Sequence, residues 1–197
     1  MSEFAVQYQI TPTNPEAHLF RISCVINKPD PAGQRLSMPA WIPGSYMIRD
    51  FAKNVISLDA EANGQRLELE KLDKSTWQCA PCTEPIILTY EVYAWDLSVR
   101  TAHLDTSHAY FNGTSVFLRV HGKEDKRCSI DILPPEGDSY ADWRVATAMS
   151  LLKAELYGFG LYQAENYDEL VDHPVEMGTF TLATFEAGGI PHDIAIT

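Results

Sequence analysis

The sequence is short of positive charge: 15 lysines and arginines face 27 aspartates and glutamates, for a formal net charge of −12. A field of that sign repels phosphate backbones and anionic lipid, so no nucleic-acid partner is expected. Cysteine is scarce too. Four thiols in 197 residues (Cys24, Cys79, Cys82 and Cys128) are too few to staple a domain of this size, and free thiols in a reducing compartment are expected. No uninterrupted apolar run is long enough to span a bilayer. The first residues, Ser2-Glu3-Phe4-Ala5-Val6, lack the basic stretch and apolar run of a secretory signal, so the expected setting is cytoplasmic, with no membrane partner. No repeat period stands out, and 45% hydrophobic residues give ample material for a core.

What is present is alternation. Phe4, Val6, Tyr8 and Ile10 fall on one face of a strand, and His18, Phe20, Ile22, Cys24 and Ile26 repeat the pattern after a Thr11-Pro12-Thr13-Asn14-Pro15 break, predicting a hairpin. Asn63-Gly64, set between Val55, Ile56 and Leu58 on one side and Leu67 and Leu69 on the other, predicts a second, because a two-residue primed turn needs positive φ at both central positions. Ile86 to Trp95 is apolar on much of both faces and reads as a central strand. Further strands are expected near 111–120, 127–133, 157–164 and 176–185. One short stretch has helix punctuation: Asn166 as cap, Glu169 at the capping-box position and Pro174 as stop. The expected fold is mainly β, an antiparallel sandwich or saddle with very little helix. The expected division is an N-terminal β domain over 1–168, then 169–197 as linker and first strands of a truncated following domain.

Four motifs carry possible chemistry. Cys79-Ala80-Pro81-Cys82 has redox or zinc-knuckle spacing, but no helix N-terminus and no further ligands accompany it, so a turn with reduced thiols is expected. His103-Leu104-Asp105-Thr106-Ser107-His108 puts two histidines and a carboxylate within six residues, but the separation of five is not the helical separation of four, and exposed loop histidines are the expected reading. Asp105, Ser107 and His108 offer the residue types of a hydrolytic triad, yet adjacent strand residues point to opposite faces. Asn112-Gly113-Thr114 matches a glycosylation sequon and reads as a tight turn.

The segment 38–51 is the most unusual. Pro43-Gly44 suits a turn with positive φ at the glycine, and Trp41, Tyr46, Arg49 and Phe51 surround it. A recognition surface and a packed corner, with Arg49 paired to Asp50 or another carboxylate, both fit that composition.

Trp41-Ile42-Pro43-Gly44-Ser45-Tyr46-Met47-Ile48-Arg49-Asp50-Phe51 resembles the signature near the front of the glycyl aminopeptidase family, sixty-first of the metallopeptidase families, whose members often carry a C-terminal PDZ domain. Residues 99–105, 111–118 and 166–178 are similar to the same family in the same order. The resemblance implies an N-terminal β domain ahead of a thermolysin-like catalytic domain that supplies His-Glu-x-x-His and a downstream glutamate. None of those is present here, so the expectation is no catalytic residue and no metal ligand in this chain, with zinc in the parent enzyme. Its implied partners are the catalytic domain of the same polypeptide and a peptide substrate. Trp41, Tyr46 and Arg49 are the expected wall or interdomain contacts, and Glu176 a candidate for the substrate amine. Edge strands left unpaired by truncation could join two copies as a homodimer. The alternatives are a free-standing β-sandwich gripping peptide or carbohydrate through Trp41, Trp77, Trp95 or Trp143, and a stand-alone hydrolase using Asp105 and His108.

Overall fold

The structure, a computed structural model, describes residues 4–42 and 44–197. The alternating segments form the expected first hairpin, β1 (Val6–Asn14) and β2 (Leu19–Ile26). Between them Pro15–Ala17 makes a 3-10 turn, capped where Asn14 Oδ1 accepts from the Ala17 amide at 3.0 Å. Pro12 does not end β1 as expected. It pairs opposite Phe20 beyond the last residue that meets the neighbour on the other side, so its missing N–H interrupts no ladder there.

Next come β3 (Arg35–Ser37), β4 (Val55–Ala62), β5 (Gln65–Leu67), β6 (Leu69–Lys71), β7 (Thr76–Cys79) and β8 (Ile86–Tyr93). The β4–β5 turn has φ of 51° at Asn63 and 72° at Gly64, the primed geometry expected of Asn-Gly. β8 lies inside its sheet between β2 and β4. Only one of its faces is buried, however, and Ile87 and Tyr93 look outward.

The second half contributes β9 (Ala102–Leu104), β10 (His108–Phe111), β11 (Arg119–Val120), β12 (Cys128–Ile132), β13 (Arg144–Thr147), β14 (Ser150–Leu151) and β15 (Gly160–Ala164). After them come α1 (Tyr167–Asp172), β16 (Val175–Gly178), β17 (Thr181–Ala187) and β18 (Ile190–Ile196). The continuous strand expected over 111–120 is absent. Asn112 Oδ1 accepts from the Thr114 amide at 3.1 Å and starts a 3-10 turn, Gly113–Ser115, followed by an irregular buried run, Val116–Leu118. The strand expected over 176–185 is two strands, broken at Gly178, whose φ of 151° is open to glycine.

Eight strands make the main sheet in the order β14-β15-β12-β1-β2-β8-β4-β5, antiparallel but for the β1–β12 pair. Two four-stranded sheets, β13-β16-β10-β9 and β11-β3-β7-β6, pack with it around one continuous apolar core. Leu170, Val171, Val175 and Met177 lie in that core, so α1 and β16 are packed into the same body as the residues before 168. β17 and β18 pair only with each other and are largely exposed.

Candidate functional site

Two features stand out on this scaffold. The first is the loop after β3. Arg49 donates its amide to Ala40 O at 2.7 Å, closing a loop that carries Trp41, Tyr46, Met47 and Ile48 outward, all exposed. Gly44 has the positive φ, 78°, expected of it; Pro43 lies outside the described residues. The Arg49–Asp50 pair is not formed. Lys74 Nζ takes Asp50 Oδ1 at 2.8 Å, out of line for a hydrogen bond, while the Arg49 Nε is buried with no hydrogen-bond partner. Met47, Ile48 and Arg49 share a cleft with Asp96 and Thr101. At about 160 Å³ the cleft is smaller than the roughly 300 Å³ of a small-molecule site. A second hollow on the same loop, about 360 Å³ and lined by Trp41, Tyr46, Met47 and Ile48, lies open to solvent, and this exposed apolar edge with its half-buried arginine suits a macromolecular surface.

The second feature is a polar row on the sheet β13-β16-β10-β9. His103 pairs opposite Tyr110, and Tyr110 opposite Glu176, so directly opposed side chains share one face; His108, two residues from Tyr110, shares it too. Trp95 extends the row through an isolated bridge to His103. The other face carries Leu104, Ala109, Phe111, Val175 and Met177 into the core. The two histidines are therefore not exposed loop residues: His103 is only 6% exposed, and the His108 side chain 18%.

Hydrogen bonds fix this row closely. His108 Nδ1 meets Glu176 Oε1 at 2.9 Å, and His103 Nε2 meets Asp105 Oδ2 at 3.2 Å. Asp105 Oδ1 also accepts from the Ser107 hydroxyl at 2.6 Å, the Ser107 amide at 2.7 Å and the His108 amide at 3.1 Å. Burial pushes the Asp105 carboxyl up, but the Ser107 hydroxyl and amide, the His108 amide and the His103 ring outweigh it and hold the group well below the usual carboxylate range. Glu176 is raised, since burial outweighs its hydrogen bond and attraction to His108. Ser107 is thus spent on Asp105 and lacks a base, so the triad reading has no support in the geometry. Trp95 is sandwiched between His18 at 3.9 Å and His103 at 5.0 Å, both stacked, and His103 lies 5.0 Å from His108.

Of the four expected contact residues, Trp41, Tyr46 and Arg49 share the exposed loop, while Glu176 faces His108 in the second sheet. Trp77 and Trp143 are buried and cannot grip a ligand. Cys79, buried at the end of β7, and Cys82 are free thiols. Sequence reasoning missed Trp95 and Asp105 as members of one polar row with Glu176. Among the described residues no helix is long and apolar enough to cross a membrane.

A β domain with, among the described residues, one short α-helix is the class that the fold defines. Solved structures share it: the M1 zinc metallopeptidase from Deinococcus radiodurans aligns with a TM-score of 0.51 at 12% identity, over 92% of this chain and 42% of that one, a likeness of fold alone. Residues 7–179 match the peptidase M61 N-terminal domain, and the chain belongs to that family. An aminopeptidase N family protein from Idiomarina loihiensis is 41% identical, with a TM-score of 0.92, over 96% of this chain and 32% of that one. The chain thus spans about a third of that relative's length. Comparison with curated proteins returns no match.

Proposed function

We propose that the chain is the non-catalytic N-terminal domain of a zinc-dependent metallo-aminopeptidase, packing on the catalytic domain of the same polypeptide and walling one side of a cleft that admits a peptide's free N-terminus. The observation that carries this reading is the exposed edge of Trp41, Tyr46, Met47 and Ile48, with Arg49 half-buried beside it and its buried Nε without a hydrogen-bond partner among the described residues. Apolar area of that kind gains by being covered, and an unpaired guanidinium gains a carboxylate partner as it is covered. Family membership and the relative's length support a following domain. A boundary after Phe180, later than the residue 168 expected from the sequence, belongs to this proposal; the pairing of β16 on both sides and of β17 and β18 only with each other supports it.

The coding sequence gives the first test: a reading frame that runs on past Thr197 to a His-Glu-x-x-His helix is expected, and a stop codon there overturns the reading. In that longer protein, Trp41→Ala and Arg49→Ala should each lower kcat/KM on glycyl and alanyl peptides at least about tenfold, the loss of roughly 1.4 kcal/mol. Unchanged turnover and unchanged melting for both variants would remove the interface from the proposal.

A further inference from the structure

The row on the second sheet has the makings of a metal site. His103, Asp105 and His108 each offer one ligand atom, all within 4.8 Å of one another. A tetrahedral zinc with bonds near 2.1 Å holds its ligand atoms about 3.4 Å apart, so His103 Nε2 and Asp105 Oδ2, at 3.2 Å, already stand at that separation, and a metal would take the place of the proton that Nε2 now donates to Oδ2. The remaining closure is at most about 1.4 Å.

Three further observations point to a ligand. A carboxylate only accepts, so the contact with Glu176 places the His108 proton on Nδ1 and leaves the Nε2 lone pair free; a carboxylate behind a histidine is the arrangement that orients metal-bound imidazoles. The Asp105 carboxylate is fixed through Oδ1 by the Ser107 hydroxyl and amide and the His108 amide, which leaves Oδ2 turned toward His103. His103 is clamped by the Trp95 stack, with one nitrogen at Asp105 and the other buried and unpartnered.

We propose that His103, Asp105 and His108 bind a borderline divalent cation of the zinc class, that Glu176 orients His108 from behind, and that water completes the coordination. Two imidazoles and one carboxylate select this class over calcium or magnesium, which take oxygen donors.

The test uses the 197-residue chain, stripped with a chelator and titrated with zinc by calorimetry and with cobalt by absorbance. One equivalent of zinc should bind at micromolar or tighter Kd, cobalt should give the intense visible bands of four-coordinate geometry, and Trp95 emission should be quenched by cobalt, an effect lost in Trp95→Phe. His108→Ala should weaken zinc at least about a hundredfold, and Glu176→Gln about ten- to a hundredfold. Because alanine can disturb the sheet, His108→Gln and Asp105→Asn serve as shape-conserving variants, with circular dichroism to establish their folding. Absence of stoichiometric binding by the parent chain, or binding that folded His108→Gln and Asp105→Asn retain in full, overturns the assignment.

Discussion

Three buried tyrosines hold the irregular run 116–118 in place of a strand partner. Tyr8 donates to Leu118 O at 2.7 Å, Tyr167 to Phe117 O at 2.7 Å, and Tyr90 donates to Val116 O at 2.8 Å while accepting from the Leu118 amide at 3.1 Å. A buried backbone group left without its partner costs about 1–3 kcal/mol. Tyr90→Phe strands two such groups and Tyr8→Phe one, so in urea unfolding Tyr90→Phe should lose roughly twice as much stability as Tyr8→Phe. Burial also raises the ionisation of all three hydroxyls well above the ordinary range. A group whose folded pKa lies above its unfolded value stabilises in full below the unfolded value, near 10 for tyrosine, and loses that contribution as pH climbs past it. Cys128, pushed up to about 12 by burial, adds to the loss from about pH 9. Stability should therefore fall steeply between about pH 9 and 12, and less steeply in Tyr90→Phe. These tyrosines are legible in the sequence only as apolar positions on alternating strands. Their hydroxyls matter because Asn112 and Gly113 bend the chain away from a sheet, and no periodicity announces that.

At the scale of elements, local chemistry was the readable part. Asn166 caps α1, its Oδ1 accepting from the Glu169 amide at 2.8 Å, and Glu169 reaches back, though to the Glu165 amide at 2.6 Å and not to that of the cap itself. The Asn63-Gly64 turn likewise follows from two residues. The polar row does not, because a separation of five does not bring two side chains onto one face of a helix. Across a hairpin with Leu104 opposite Ala109, that same separation sets the two imidazoles diagonally on one face. What joins α1 to the rest was equally hidden. A Cβ on Gly113 would stand 2.9 Å from Val171 Cα and 3.2 Å from Leu170 O, and backbone does not yield as a flexible side chain does. Gly113→Ala should therefore cost about 1–3 kcal/mol by chemical denaturation, through overpacking and not through lost turn geometry, since the φ of Gly113 is not positive.

For the whole molecule the question is what the last hairpin is attached to. β17 and β18 satisfy each other's backbone but add no strand to the other sheets. Phe185, Ile190, Ile194 and Ile196 are each close to half exposed or more. Their ties to the body are few: Tyr157 bonds Asp193, and the Tyr157 ring lies against Phe180, itself held by Arg144. A two-stranded ribbon with apolar faces and open edges is marginal alone and gains by pairing, with a following domain or with a second copy. The proposed homodimer through unpaired edges and the proposed boundary after Phe180 thus share one consequence. The 197-residue chain should self-associate at high micromolar concentration in sedimentation velocity, whereas a chain ended at Phe180 should stay monomeric and melt within about 4 °C of the parent, a shift equivalent to no more than about 1 kcal/mol. A shortened chain that unfolds would show that the hairpin belongs to the body, and one that still dimerises would move the contact to another surface, the Trp41–Ile48 edge being the first to examine.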